Sequence, residues 1–225
     1  MAANIIWIGG GKGGVGKSIV AMATLDFLLG RGDKVLLAET DTSNPDVWKA
    51  WNEHIEAELV DLDVREGWIT FLDICHGKPD STVLVNSAAR NAAGVKAHGS
   101  FLAGALGELR RKLITLWVIN RQRDSLVLLG EHIKALPSSA VHVLRNGHFG
   151  DGGKFDLYNA SRIRRSVEEA GGRSLTFPDL ADRVADDIFT RRMTIPDAIR
   201  DLPFGNRAEL LRWRQEVAAT LGGII

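Results

Sequence analysis

The chain has 225 residues, 45% of them hydrophobic, which is enough apolar material for a sizeable core and too much for a disordered chain. Lys and Arg number 28 and so do Asp and Glu, so the net charge is zero and composition gives no argument for a nucleic-acid partner, although a local basic patch stays open. One cysteine, Cys75, excludes an intramolecular disulfide and a zinc site built from several cysteines, and the six histidines show no paired ligand spacing.

Short β-branched or apolar runs predict strands at 4–8, 34–38, 82–85, 114–119, 140–144 and 173–177. Amphipathic stretches between and after them predict helices at 18–29, 48–59, 65–75, 95–112, 125–136, 156–170, 178–187, 195–200 and 206–221. The alternation argues an α/β fold of three layers, a mainly parallel sheet with helices on both faces, spanning 1–225 as one domain. Ligands of such sheets bind at the carboxyl ends of the strands. No apolar run nears the roughly 18 residues of a spanning helix, and no charged leader precedes the first strand. The expectation is a soluble, cytoplasmic chain with no stable membrane insertion.

The first predicted strand runs into Gly9-Gly-Gly-Lys-Gly-Gly-Val-Gly-Lys-Ser18, six glycines around two lysines. Gly11 to Ser18 fits G-x-x-x-x-G-K-[ST], and Gly11-x-Gly13-x-x-Gly16 also fits the dinucleotide fingerprint, with Glu39 near the place of a ribose-binding acid. In both readings glycines let backbone N–H groups approach phosphate at a helix N-terminus. Lys17 and Ser18 separate the two. A mononucleotide loop needs an ammonium on the terminal phosphates and a hydroxyl on Mg²⁺, and a dinucleotide loop needs neither. The binding candidates are therefore Gly11, Gly13, Gly14, Val15, Gly16, Lys17 and Ser18.

Lys12-Gly-Gly-Val-Gly-Lys-Ser18 resembles the deviant Walker A motif of the MinD/ParA family of P-loop ATPases, and Val35-Leu-Leu-Ala-Glu-Thr-Asp41 resembles that family's second strand and switch I. The resemblance implies a P-loop NTPase fold, ATP and Mg²⁺ as ligands, and a homodimer formed on ATP binding. It implies that Lys12 reaches the partner's phosphates, that Asp41 helps position the attacking water, and that Glu39 faces the Mg²⁺ shell beside Ser18. The stretch from Phe177-Pro-Asp-Leu-Ala-Asp182 through Thr194-Ile-Pro-Asp-Ala-Ile199 to Leu221 is similar to TraL-type conjugal-transfer proteins of the same family, which implies a protein cargo and a task in conjugative or plasmid DNA transfer. Iron–sulfur relatives are excluded, because a lone Cys75 cannot supply their paired cysteines.

The pattern breaks at 82–86. Relatives end this strand on an aspartate that holds Mg²⁺ through water, and this chain has Asn86. Its amide oxygen can accept from a metal-bound water but carries no charge. Binding is thus expected with hydrolysis open, and the alternative is a non-hydrolysing regulatory module. Asn146, after 140–144, is the candidate adenine reader, with Asn120 to Arg123 competing for the role. Arg90 is read either as a phosphate or partner contact or as a solvated loop residue.

Three basic clusters, Arg162/Arg164/Arg165, Arg110/Arg111/Lys112 and Arg191/Arg192, are read as solvated helix faces and leave open a non-specific DNA contact. Trp48 and Trp51 are read as core, with a surface that nucleotide state exposes to a partner as the alternative. So is the stripe Leu210, Leu211, Trp213, Val217 and Leu221, in preference to a membrane-docking helix.

Overall fold

The computed structural model describes residues 3–225. Strand β1 (Ile5–Gly9) is buried along its whole length, with Ile5 and Trp7 entering one core and Ile6 and Ile8 the other. Burial on both faces is why it reads as an unbroken apolar run. It lies within a seven-stranded sheet with β2 (Val35–Glu39), β3 (Glu56–Leu59), β4 (Thr82–Asn86), β5 (Leu113–Ile119), β6 (Ala140–Asn146) and β7 (Ser174–Phe177), in the order β3-β2-β4-β1-β5-β6-β7. Every pairing is parallel, so the carboxyl ends of all strands gather at one edge.

The crossovers are α1 (Lys17–Gly30), α2 (Asp46–Trp51), α3 (Arg65–Gly77), α4 (Ala92–Leu109), α5 (Arg123–Ala135), α6 (Asp156–Asn159) and α7 (Arg162–Glu169). After β7 come α8 (Asp182–Thr190), α9 (Ile195–Asp201) and α10 (Phe204–Leu221). Helices α1, α2, α8, α9 and α10 pack on the Ile6/Ile8 face. The other face carries α3 and α4 over Trp7 and Val85, and α5 to α7 over Trp117 and Val143. The expected three layers are present, and the sheet is wholly rather than mainly parallel.

The structure corrects several sequence expectations. The stretch 48–59 is not one helix: α2 stops at Trp51, a turn follows, and Glu56–Leu59 pairs with β2 as an edge strand. Its exposed Glu56 and Glu58 line the open sheet edge with charge, which discourages further pairing. The stretch 156–170 breaks at Ser161, whose hydroxyl accepts the Arg164 N–H and caps α7. Residues 178–181 are loop, and the Pro178 carbonyl accepts the Trp213 indole N–H. Leu211 leaves the tail's apolar stripe at 42% exposure, while Leu210, Trp213, Val217 and Leu221 are buried.

Trp51 is buried with its indole N–H on the Met22 sulfur, and Trp48 is half-buried. Of the basic clusters, Arg111 is not on the surface. It is buried and donates to the carbonyls of Cys75, Lys78 and Ser81, tying the end of α3 to the start of β5. Arg164 pairs with Glu168 one turn away. Among the described residues, no helix is long and apolar enough to cross a membrane.

Candidate functional site

The loop from the end of β1 to the start of α1 wraps the helix N-terminus, where unpaired N–H groups favour an anion. Gly16 has φ 99°, in the left-handed region, and a Cβ there would collide with the Asn146 amide. Gly11 is pressed against Leu128 of α5. Gly13 and Gly14 meet nothing nearby and face open space.

A cavity of 430 Å³ opens at this loop, lined by Gly13, Gly14, Gly16, Lys17, Ser18, Asp41 and Asn86 among others. A second, of 450 Å³, is lined by Asn146, Pro178, Asp179 and Asp182. Both are bordered by Gly14, Gly16, Ile19 and Phe189, so together they form one trough along the loop. The trough suits a ligand with an anionic end over the helix N-terminus and room to extend toward Asn146 and Pro178. Gly11, Lys12, Val15 and Glu39 do not line it. Gly11 and Val15 hold the loop from behind.

The loop's two lysines are held within the chain. The Lys17 ammonium donates to the Lys12 carbonyl at 2.8 Å, and burial lowers its pKa to about 8 although Asp41 and Glu39 work to raise it. Lys12 points the other way, to Asp124 at 2.5 Å and Gln122 at 3.2 Å, with its side chain 40% exposed. One lysine thus serves the trough and the other the rim.

Glu39 and Asn86 are register partners on β2 and β4. The Asn86 Nδ2 donates to both Glu39 oxygens, at 3.1 and 2.9 Å, and the Asp41 N–H donates to Oε1 at 3.0 Å. Burial pushes the Glu39 carboxyl up to about 7, against these hydrogen bonds, which lower it. Asp41 is held below the usual carboxylate range: partial burial works to raise it, but the Ser43 hydroxyl, the Asn44 N–H and Arg90 outweigh that.

Arg90 is bound within the chain. It donates to Asp63 at 2.6 Å, Asp41 and Ser43 at 3.0 Å, and Thr42 at 2.8 Å. Asn91 continues the cluster, donating to Asp63 and accepting from the Ala88 N–H and the Thr40 hydroxyl. The loops after β2, β3 and β4 are thereby joined in one network. The sequence does not single out Asp63, Thr40 or Asn91, because three separate loops supply the partners and no local spacing announces them.

Asn146 ends β6 on the trough. Its Nδ2 donates to the Val15 carbonyl at 2.9 Å and its Oδ1 accepts from the His148 N–H at 3.1 Å. One amide hydrogen and one lone pair remain for a ligand. Asn120 does not share that cavity. It accepts from Gln122 and Ser125 at the start of α5 and lines a different opening with Arg121 and Lys154.

The donor set fits a hydrated Mg²⁺ brought in with phosphates. Ser18 offers a hydroxyl on the cavity, and the Asn86 Oδ1 is buried without a partner, with an acid behind it. Magnesium keeps much of its water and needs few protein oxygens when phosphates supply the rest.

The fold is that of the MinD/ParA-type P-loop ATPases. The MinD cell division protein of Aquifex aeolicus superposes with a TM-score of 0.55 at 16% identity, over 96% of this chain and 97% of that one. A putative plasmid partition protein of Borrelia burgdorferi bound to AMPPNP gives 0.53 at 15% identity, over 99% and 100%. The septum site-determining protein MinD of Pyrococcus horikoshii, complexed with Mg-ADP, gives 0.51 at 17%, over 99% and 98%.

No protein-family model matches the chain. Protein MobD of Acidithiobacillus ferrooxidans is 60% identical over 225 residues, covering 100% of this chain and 99% of MobD, and the chain belongs to the MobD family.

Proposed function

We propose that the chain is a Mg²⁺-dependent, slowly hydrolysing ATP switch that closes into a nucleotide-sandwich homodimer and positions or delivers a protein cargo in conjugative or plasmid DNA transfer. In this reading it acts in the cytoplasm as a single domain over 1–225. The observation that supports the reading is the opposite placement of the two loop lysines: Lys17 lines the trough, while Lys12 points away from it to Asp124 with its side chain 40% exposed. The name MobD and the plasmid partition protein among the similar structures support the DNA-transfer setting.

The chain's residues divide the work by chemistry. Lys17 exchanges the Lys12 carbonyl for phosphate oxygens, and the N–H groups from Gly13 to Ser18 take the rest of the anion. Bound Mg²⁺ supplies positive charge against the phosphates, held beside the Ser18 hydroxyl and Asn86. Asp41, fixed by Ser43, Asn44 and Arg90, orients water at the terminal phosphate. Lys12 leaves Asp124 and Gln122 for the partner's phosphates. Lys12→Ala is expected to keep most monomer ATP binding and to lose ATP-dependent dimerisation in sedimentation velocity. Unchanged dimerisation would defeat the mechanism.

The neutral Asn86 on the cavity favours a second reading, a nucleotide-held module without turnover. ATP turnover at saturating ATP and Mg²⁺, above a Lys17→Ala blank, decides between them. We expect slow turnover; tight binding with none supports the module.

A further inference from the structure

Glu39 and Asn86 sit side by side in register at the carboxyl ends of adjacent parallel strands, so their side chains leave the same face of the sheet. Glu39 is fully buried and does not line the cavity; Asn86 does, and stands in front of the acid. The fork of the Asn86 Nδ2 onto both carboxyl oxygens fixes the amide's direction, because a flipped amide would set its oxygen against two acceptor oxygens. The Oδ1 is therefore turned away from Glu39, and it is buried without a partner. A carboxylate at position 86 would set a second acid against the first in place of this donor and acceptor pair. An amide there donates to the acid instead, and an amide whose nitrogen donates becomes a better acceptor at its oxygen.

We propose that Glu39 and Asn86 form an amide relay in which the Asn86 Oδ1 accepts from water in the hydration shell of the nucleotide's divalent cation, while Glu39, as the positioning residue, takes both hydrogen bonds of the amide nitrogen and so orients the amide. The carboxylate lies one strand over from position 86, behind the residue that lines the cavity. The relay rests on the nucleotide reading above and adds to it the means by which a neutral residue serves a cation.

The test is ATP affinity of the full chain in Mg²⁺ and in EDTA, read with a fluorescent ATP analogue, together with thermal unfolding. The proteins are wild type, Glu39→Gln, Asn86→Asp and the double variant. Wild type is expected to bind more tightly with Mg²⁺. Glu39→Gln is expected to lose about 10- to 100-fold of that gain, the usual cost of removing an outer-shell partner, with affinity in EDTA unchanged. Asn86→Asp alone is expected to unfold at lower temperature, because it sets two acids together. The double variant puts the acid on the cavity and the amide behind it, and is expected to recover most of the gain. A folded Glu39→Gln with the full gain overturns the relay. So does a folded double variant without it, which keeps the test decisive where Glu39→Gln does not fold. Wild type that binds ATP equally well in EDTA overturns the relay alone; wild type that binds no ATP overturns the nucleotide reading itself.

Discussion

Two buried polar clusters lie on this sheet and are finished differently. Toward the amino ends of the strands, His132 of α5 meets the Thr115 hydroxyl at 3.1 Å, Thr115 meets Ser139 at 2.7 Å, and Ser139 reaches the Leu113 carbonyl. Trp117 and Trp7 close over the imidazole, with ring centroids 4.7 and 6.1 Å away. None of its side-chain atoms is buried without a partner. Both clusters border a cavity, the first through His132, but the cluster at the carboxyl ends finishes on Asn86, whose Oδ1 is buried without a partner. A closed polar network is an internal brace, because leaving a buried acceptor unpaired costs about 1–3 kcal/mol. A buried acceptor left unpartnered on a cavity-lining residue is where a group from outside would add a hydrogen bond. The two clusters should therefore fail in different observables, the first in stability and the second in ligand binding.

The larger effect belongs to the closed cluster and acid. Burial lowers the His132 pKa from 6.5 to about 4, so the folded state binds its proton less readily than the unfolded chain. The stability this contributes is fully present above 6.5 and is lost as pH falls toward 4. Between pH 7 and pH 5 the loss is about 2 kcal/mol, from the linkage of that shift. His132→Gln keeps a polar group near Thr115 and cannot titrate, so its unfolding free energy should vary less over the same range. Chemical denaturation of both proteins at the two pH values measures the difference. Equal pH slopes would show that this cluster is not the acid-sensitive brace and would break the contrast on its stability side.

What can be read from the sequence follows the distance over which each feature is written. The loop from Gly11 to Ser18 is contiguous and its chemistry is local, so its place between β1 and α1 is legible from the residues alone. Buried parallel strands announce themselves as apolar runs, and every strand but β3 is legible in that way. Strand β3 escapes because it is a four-residue edge strand carrying two exposed glutamates, whose pattern after Trp51 continues a helical one. The Glu39–Asn86 fork joins residues 47 apart and depends on strand register, which no single window of sequence contains. Glu39 is expected from its motif to face the metal shell; it lies behind Asn86, because the acid at the end of β2 is covered by the side chain next to it on β4. His132 carries no signal at all, since its partners come from β5 and the turn before β6.

The smaller effect sharpens the ligand side of the contrast. Asn146 belongs to the trough, yet both of its hydrogen bonds stay within the chain, one to the Val15 carbonyl of the loop and one to the His148 N–H. Its amide also fills the space that the missing Cβ of Gly16 leaves. On this geometry Asn146 acts first as a brace for the phosphate loop, and a brace is indifferent to what the phosphate is attached to. Asn146→Ala should weaken ATP by about 5- to 10-fold, the equivalent of about 1 kcal/mol for a lost hydrogen bond. Inorganic tripolyphosphate, which has no base, should weaken by the same factor in competition against a fluorescent nucleotide. A loss confined to ATP would instead assign the remaining amide hydrogen and lone pair to the base. Asn146 would then stand with Asn86 among the groups completed from outside, and the open cluster would extend along the whole trough.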